Sequence, residues 1–334
     1  MQSDFSTTVI NNRKRIESFY VLKALAAFFV VLLHVPAYCP ELVPVVGVGT
    51  PCFLCITGYL LYSADYERER FKCIKWAKKT MRLALVCNLI YGALRLFLTD
   101  WNVGGYMFYI TALFHGGNIS HPLWYLTGLW EALLIFVVVI RYVPKLIHWF
   151  PLLAVVGYML RTHGASLFPQ VDAWTLLMIR DTALFTSLPF LSIGYLIHKH
   201  SDYLLRKICV ECFFLASLIG AFAEYYLRVR LQFDCSCFLF FTYPLIVSMM
   251  LLCVKYPNFT IPVVGVIGKK HSPNIYYFHM LFVWCIKGLG IQISYPIITA
   301  ACIYMATIPL SYAFIKGGAY WQKKVWPPLL ALFL

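Results

Sequence analysis

Residues 19–38 read FYVLKALAAFFVVLLHVPAY, and this stretch decides what kind of protein the chain forms. At about 1.5 Å per residue, a helix of this length is about 30 Å long, which is enough to cross the hydrocarbon core of a bilayer. Two ionisable residues, Lys23 and His34, lie inside the apolar run. At about 100° per residue they fall on nearly one face of the helix, about 16 Å apart. Keeping such groups inside a membrane is costly, so the pair indicates a functional site.

Each of the two residues also has a simpler explanation. A lysine near the start of a transmembrane helix often extends its ammonium group to the lipid headgroups. A single histidine within a membrane often only hydrogen-bonds a neighbouring helix. The alignment of Lys23 and His34 favours a shared role, and both simpler explanations stay open.

Composition places the chain among polytopic helical membrane proteins. Of its 334 residues, 61% are hydrophobic and only 13% are charged, and the apolar runs are continuous rather than alternating, which disfavours a β-barrel. We predict an all-α transmembrane bundle in a single domain, residues 1–334. Residues 1–17 form a cytoplasmic lead-in, and residues 317–334 form a cytoplasmic or interfacial tail. Nucleic-acid binding is excluded because no soluble basic face is present.

The apolar runs predict about ten spans. They cover residues 18–38, 45–63, 82–99, 123–141, 149–163, 181–198, 208–227, 236–254, 274–293 and 295–315. The fifth is short, and Pro51 interrupts the second. Most of the 28 lysines and arginines fall at one side of this arrangement, and the positive-inside rule then places both termini in the cytoplasm. The excess of positive charge reflects topology and contact with membrane lipid.

The twelve cysteines are expected to serve mainly as small hydrophobic residues. Residues 52–55 and 209–212 each have Cys-x-x-Cys spacing, but neither has an aqueous setting or a matching second pair, so we expect packing in both and no metal. Cys235 and Cys237 lie at a predicted outer helix end, where they are able to oxidise if that side is oxidising.

The most charged stretch, residues 65–82, allows two interpretations. Its bases recur at helical three- and four-residue spacing and include Lys72, Lys75, Lys79 and Arg82. One interpretation is a helix that lies on anionic lipid. The other is a phosphate-binding surface for a polyanionic cosubstrate.

Three further segments contain polar residues in apolar surroundings. In the second span, Thr57 and Gly58 allow close approach of a neighbouring helix. Residues 121–126 read HPLWYL, and its aromatic pair Trp124 and Tyr125 fits either an interfacial belt or a functional motif. Glu131 follows in an apolar span, where a carboxylate usually has a partner or a function, such as orienting a histidine.

The segment 268–282 reads GKKHSPNIYYFHMLF and opens a late span. Ser272 is a plausible helix cap, and Pro273 suits the first turn. His279 is a second histidine within the membrane, with packing as its simpler explanation. Lys269 and Lys270 are candidates to extend the phosphate-binding surface.

Taken in order, these segments resemble the motifs of the acyltransferase-3 family of integral membrane acyltransferases. Lys23-x10-His34 is similar to the opening Arg/Lys-x10-His pattern, and Phe53–Leu60 is similar to a Phe-x-Ile-Ser-Gly-x-Leu motif with Thr57 in place of serine. Residues 79–82, 121–126 and 272–279 resemble the Arg-x-x-Arg, His-Leu-Trp-Phe-Leu and Ser-x-x-Ile-Tyr-x-x-His elements. Two departures stand out: Tyr20 replaces the usual Asp, and the proline that usually follows the third-span basic motif is missing.

The resemblance implies a membrane O-acyltransferase of the short, membrane-only bacterial type, located as a multi-pass protein in the cytoplasmic membrane. It would move an acyl group, usually acetyl, from cytoplasmic acyl-CoA to a hydroxyl of an envelope glycan, without a metal. The implied catalytic residues are His34, Lys23, Glu131 and His279. The implied acyl-CoA-binding residues are Lys72, Lys75, Lys79, Arg82, Lys269 and Lys270. The implied acceptor and motif residues are Thr57, Gly58, His121, Trp124, Tyr125, Ser272 and Tyr276.

A transporter or flippase of a glycan or small solute is the alternative, because charge within the membrane and broken helices fit that class too. Against it, the two halves of the chain show no internal repeat. A membrane sensor is a third class, but no soluble signalling domain is visible in the sequence.

Overall fold

The computed structural model describes residues 15–35, 40–98, 120–231, 239–291 and 293–324. Within these ranges the chain contains helices and irregular segments and no strand, which confirms the predicted all-α class. Most of the lead-in, much of the outer loop 100–122, the Cys235-x-Cys237 pair and the end of the tail lie outside the described residues.

The α-helices of these ranges are numbered here in chain order. They are α1 (Ser18–His34), α2 (Val43–Val46), α3 (Gly49–Leu61), α4 (Tyr66–Leu98), α5 (Trp124–Tyr142), α6 (Leu153–Leu167), α7 (Ala173–Arg180), α8 (Leu188–Lys199), α9 (Ser201–Lys207), α10 (Val210–Arg230), α11 (Thr242–Lys255), α12 (Pro262–Lys270), α13 (Ser272–Gly288) and α14 (Pro296–Lys324). The short 3₁₀ turns are Pro40–Leu42, His121–Leu123, Pro144–His148 and Phe150–Leu152, and a π-helical turn, Ala183–Ser187, leads into α8.

Each predicted span coincides with a helix, but not every helix is long and apolar enough to cross a membrane alone. Four stretches of the described residues meet that requirement: Pro40–Leu61, Trp124–Tyr142, Val210–Arg230 and Pro296–Gly318. Ser18–His34 and Thr242–Lys255 are shorter apolar helices. The count of ten spans and the cytoplasmic side of both termini therefore stay predictions.

The first helix is shorter than predicted. It ends at His34, and Val35 is extended with ψ of 135°. The reason is Pro36, because the residue before a proline is sterically excluded from the helical region. His34 therefore lies in the last turn of α1, not deep inside a longer helix.

The predicted interruption of the second span at Pro51 is wrong. Pro51 is the third residue of α3, in the first turn, where a backbone N–H has no acceptor inside the helix, so the missing donor costs nothing. The interruption lies earlier, at Gly47 and Val48, between α2 and α3.

The charged segment and the third span form one helix. α4 runs from Tyr66 to Leu98 over 33 residues. Its basic first half therefore continues into the apolar half without a break, and the cations of residues 72–82 are held at fixed positions relative to the apolar residues that follow.

Two glycines bring α3 and α8 into backbone contact. A Cβ atom added at Gly58 would lie 1.9 Å from the carbonyl oxygen of Leu191, and one added at Gly194 would lie 1.9 Å from that of Cys55. No larger residue fits at either position, so the predicted close approach at Gly58 is confirmed. Cys52 and Cys55 are fully buried in this packing, as expected.

The second Cys-x-x-Cys pair does not pack inside the protein. Cys209 and Cys212 are both exposed, and their sulfur atoms lie 3.2 Å apart at the start of α10. The expected packing role is therefore wrong for this pair. The sequence around this pair is as apolar as that of a buried helix. The pair is exposed because the first turn of α10 faces outward.

Candidate functional site

A cavity of about 550 Å³ lies among α1, α3, α4, α5, α12, α13 and α14. One end is lined by four lysines, which are Lys23, Lys79, Lys269 and Lys270. The other end is lined by aromatic residues, among them Phe53, Tyr125 and Tyr276. A larger apolar groove of about 820 Å³ between α1 and α11 contains none of the predicted site residues.

The basic end is suited to a polyanion. Four lysines and no carboxylate line the cavity among the described residues. Lys23 and Lys79 are close enough for their charges to repel each other. Because like charges gathered in one place raise the free energy of the empty site, a bound anion of opposite charge relieves that repulsion.

A glycine explains how α12 brings its lysines to this end. A Cβ atom added at Gly268 would lie 1.7 Å from the carbonyl oxygen of Tyr20, so α12 packs directly on the backbone of α1. The Lys269 ammonium then lies 5.6 Å from the centre of the Tyr20 ring, a cation–π contact. Tyr20 therefore contributes a ring face here.

His271 adds no charge to this end of the cavity. Burial, and then the positive charge of Lys270, lower the pKa of His271 below its ordinary value, so the ring is neutral at neutral pH. Its Nδ1 lies 2.9 Å from the hydroxyl oxygen of Ser311 on α14. The lysines therefore carry the positive charge of the cavity.

The remaining predicted cations on α4 lie elsewhere. The Lys72 ammonium donates to the carbonyl oxygens of Leu60 and Leu61 at 2.9 and 3.0 Å, and so caps the end of α3. Lys75 lies 6.0 Å from the centre of the Phe71 ring. Neither lysine lines the cavity, and neither does Arg82, which is exposed.

Three aromatic rings close the far end of the cavity. The Tyr276 ring centre lies 4.8 Å from that of Tyr125 and 5.7 Å from that of Phe53. Thr57 donates to the Phe53 carbonyl oxygen at 2.8 Å. The Tyr276 hydroxyl lies 3.4 Å from that of Thr50. These three rings are called the aromatic layer below.

The two histidines lie together immediately behind the aromatic layer. The ring centres of His34 and His279 are 5.1 Å apart, and that of His279 is 6.3 Å from Tyr276. His279 is fully buried and His34 is half-buried. The structure therefore brings two residues from opposite ends of the sequence into one pair. The cavity reaches Tyr276, one ring short of this pair.

Hydrogen bonds to the backbone fix the tautomer of both rings. Nδ1 of His34 lies 2.7 Å from the Val30 carbonyl oxygen, and Nδ1 of His279 lies 2.8 Å from that of Tyr276. A carbonyl oxygen only accepts, so each Nδ1 carries the hydrogen and each neutral ring has its lone pair on Nε2. Nε2 of His279 is buried without a hydrogen-bond partner among the described residues. In the neutral form, each ring therefore presents a lone pair at Nε2 and not an N–H.

Glu131 is not brought to either histidine. Tyr125, Leu129 and Leu133 face the cavity at four-residue spacing on α5. Glu131 lies two residues from the latter two, about 200° around the helix, and so points away from the cavity. No hydrogen bond joins Glu131 to a histidine within the described ranges.

The remaining motif residues hold the site in place. Trp124 and Tyr125 are buried, so they do not form an exposed interfacial belt, and His121 begins the turn that precedes them. The Ser272 hydroxyl donates to the Gly268 carbonyl oxygen at 2.7 Å, so it secures the end of α12 and does not cap α13 as expected. Pro273 lies in the first turn of α13, as predicted.

Comparison with known proteins decides the family. A family model described as an acyltransferase domain, that of the acyltransferase-3 family, matches residues 16–316. The chain belongs to the acyltransferase-3 family. No curated protein and no solved structure matches it.

Membership of the acyltransferase-3 family agrees with the resemblance noted in the sequence, and it supports a membrane acyltransferase in general. The matched range contains both ends of the cavity and both histidines. Sequence motifs identified the histidines and the lysines separately. They did not identify Thr50 or the closing role of Phe53, because both depend on contacts with α13, more than 200 positions away.

Among the described residues, no group of three or more His, Cys, Asp or Glu side chains is arranged to hold a metal ion.

Proposed function

We propose that this protein is a membrane O-acyltransferase that moves an acyl group, acetyl in the simplest case, from acyl-CoA to a hydroxyl of an envelope glycan. The observation that carries the proposal is the cavity, with four lysines at one end and, behind the aromatic layer at the other, two histidines whose Nδ1 atoms are bonded to backbone carbonyl groups, which leaves Nε2 for the acceptor. Family membership supports the acyl transfer; the donor and the acceptor are our proposal.

Charge supports coenzyme A as the carrier of the acyl group. Coenzyme A has about four negative charges at neutral pH, on one phosphate monoester and one diphosphate. Lys23, Lys79, Lys269 and Lys270 supply an equal number of positive charges in the cavity. Clustered ammonium groups bind phosphates well, whereas an apolar or neutral donor gains nothing from them.

Distance supports transfer at the histidine pair. Lys23 and His34 lie on nearly one face of α1, about 16 Å apart along its axis. The extended pantetheine arm of the donor bridges a gap of this order, so phosphates held at the lysines leave the thioester near the aromatic layer. Rotation of Tyr125 or Tyr276 would then open the layer and admit the thioester to the histidines.

The chemistry then follows from the tautomers. The Nε2 lone pair of His34 takes the proton of the acceptor hydroxyl while the hydroxyl oxygen attacks the thioester carbonyl carbon. The tetrahedral intermediate collapses, the C–S bond breaks, and the proton passes from the imidazolium to the leaving thiolate, which gives an ester and free coenzyme A. We assign this role to His34 because its ring is only half-buried, whereas the Nε2 of His279 is fully enclosed.

The test is acyl transfer by the purified protein. Protein in lipid nanodiscs is given radiolabelled acetyl-CoA and envelope glycans from a strain that lacks the gene, and label in the glycan is measured by mass spectrometry and scintillation. We expect label in an alkali-labile ester. If the label stays in acetyl-CoA while liposomes that contain the protein exchange labelled glycan, the protein is a transporter and the proposal is wrong.

A further inference from the structure

Outside the aromatic layer, Trp76, Tyr277 and Phe314 also line the cavity, and of these three only Trp76 lies on the same helix as a cavity lysine. Trp76, Lys79, Thr80 and Leu83 of α4 all line the cavity, at the spacing i, i+3, i+4 and i+7 that one helical face requires. Trp76 is partly buried against the core. The four side chains thus present an indole, an ammonium, a hydroxyl and an apolar group in sequence along one wall.

The direction of this sequence is fixed by the neighbouring helices. Trp76 is the member of the set nearest the charged start of α4, and Leu83 is about 10 Å further along the axis, toward the apolar half. Along α4, Lys79 therefore lies between the Trp76 indole and the apolar part of the cavity at Leu83. On α3, Leu60 lines the cavity near its helix end and Phe53 lies about 10 Å deeper, in the aromatic layer.

This order matches the order of chemical groups in a nucleotide thioester. Such a donor has a purine ring at one end, then its phosphates, then an uncharged arm that ends in the thioester. With the phosphates on the lysines and the arm directed to the aromatic layer, the purine lies on the outer side of the lysines, at the level of Trp76. Stacking of a base on an aromatic side chain strengthens binding and depends on the ring face, not on its edges.

We propose that Trp76 is the stacking platform for the purine ring of the acyl donor. This inference rests on the proposed function, because it requires a nucleotide-bearing thioester in the cavity. The platform selects donors that carry the nucleotide over short thioesters that lack it. Because stacking reads only the ring face, a purine with altered edges is accepted as well.

The experiment uses 1,N6-etheno-coenzyme A, a fluorescent analogue whose purine edge is modified and whose emission is quenched when the base stacks on an indole. We expect wild-type protein in nanodiscs to bind the analogue with quenching. Trp76→Leu should weaken its binding by about tenfold or more and abolish the quenching, in line with the measured cost of losing one base-stacking ring. Trp76→Phe should retain most of the affinity.

Two controls separate stacking from a merely structural role. Phe71→Leu removes an aromatic ring on the same helix that is 66% exposed and does not line the cavity, and it should leave binding unchanged. Acetyl transfer from an N-acetylcysteamine thioester, which lacks the nucleotide, should be equal in wild-type and Trp76→Leu protein. That equality also shows that the variant is folded.

The outcomes distinguish this inference from the proposed function. If wild-type protein binds the analogue and Trp76→Leu binds and quenches it equally, the stacking platform is wrong while the donor site stands. Loss of transfer from the short thioester in Trp76→Leu would also overturn it, because the residue would then support the fold. If wild-type protein neither binds the analogue nor transfers acetyl from acetyl-CoA, the proposed function itself fails.

Discussion

The two ends of the cavity are built in opposite ways. At the basic end, a glycine contact between α1 and α12 brings three lysines together, α4 adds Lys79, and no carboxylate among the described residues lines the cavity. At the other end, two histidines are held by backbone carbonyl groups behind the aromatic layer. The first arrangement is costly until an anion binds. The second contains a buried acceptor, Nε2 of His279, which has no hydrogen-bond partner among the described residues. The difference assigns binding to the basic end and proton transfer to the histidine end, so variants at the two ends should change different kinetic constants.

The largest effect is expected at the histidine end. His34→Ala removes the general base, and the rate of acyl transfer should fall by about 10²- to 10⁴-fold. Affinity for the donor should stay within about twofold of wild type, because the lysines are untouched. Radiolabelled transfer and equilibrium binding to the same purified protein measure the two quantities. Transfer at the normal rate by His34→Ala would remove the assignment of His34.

The contact that gathers the lysines should matter next. Gly268→Ala places a Cβ atom against the Tyr20 carbonyl oxygen, and relieving the overlap moves α12 away from α1. We expect a loss of about 1–3 kcal/mol in the free energy of unfolding together with a higher KM for acetyl-CoA. The transfer rate at saturating donor should change little. Thermal unfolding and steady-state kinetics in nanodiscs check both.

Gly92→Ala is the matched control for this substitution. Gly92 also lies in a helix, but nothing is within 4 Å of a Cβ atom added there. The free energy of unfolding of the Gly92→Ala protein should equal that of wild type or be slightly higher, because alanine favours a helix more than glycine does. Equal destabilisation by both substitutions would show that the contact at Gly268 has no special role.

A single lysine of the basic end should have a smaller effect. Lys79→Gln removes one of four charges, and we expect KM for acetyl-CoA to rise about five- to tenfold with an unchanged transfer rate. The dependence of KM on salt should also weaken, because fewer positive charges remain and there is less attraction for salt to screen. Lys75→Gln, on the same helix but outside the cavity lining, should behave as wild type. A fall in the transfer rate without a rise in KM would place Lys79 in the chemistry.

The smallest effect is expected at Glu131. Because this residue points away from the cavity and contacts neither histidine among the described residues, Glu131→Gln should change the transfer rate by less than about twofold. Alanine would alter packing as well as charge, so glutamine is the sharper test. A drop as large as that of His34→Ala would mean that the carboxylate reaches the histidine pair in another conformation.

Much of the fold is readable from the sequence because apolar runs determine where helices form. Each predicted span has a helix, and Gly58 lies at a close helix contact, as expected from a small residue in an apolar helix. The apolar run extends beyond the end of α1 at His34, and only Pro36 indicates that end locally. Pro51 does not interrupt its helix because it lies in the first turn, where proline is tolerated.

The pairing of helices was not readable. His34 and His279 lie 245 positions apart in the sequence, and Lys23 and Lys269 lie 246 positions apart. No local periodicity shows which helix faces meet. Glu69 illustrates the same limit, since this buried carboxylate accepts a hydrogen bond from the Tyr195 hydroxyl at 3.1 Å, 126 positions away. Burial raises the pKa of Glu69 above its ordinary value, and hydrogen bonds only partly offset this. Family motifs located the site residues one at a time, and the structure was needed to bring them together.

The most direct test is an experimental structure of the His34→Ala protein with acetyl-CoA bound. We expect the phosphates within hydrogen-bonding distance of Lys79 and Lys270, and the acetyl carbonyl carbon beyond the displaced aromatic layer, next to His279. An acetyl-CoA molecule that occupies another surface, or a thioester that stays on the lysine side of closed Tyr125 and Tyr276 rings, would contradict the account.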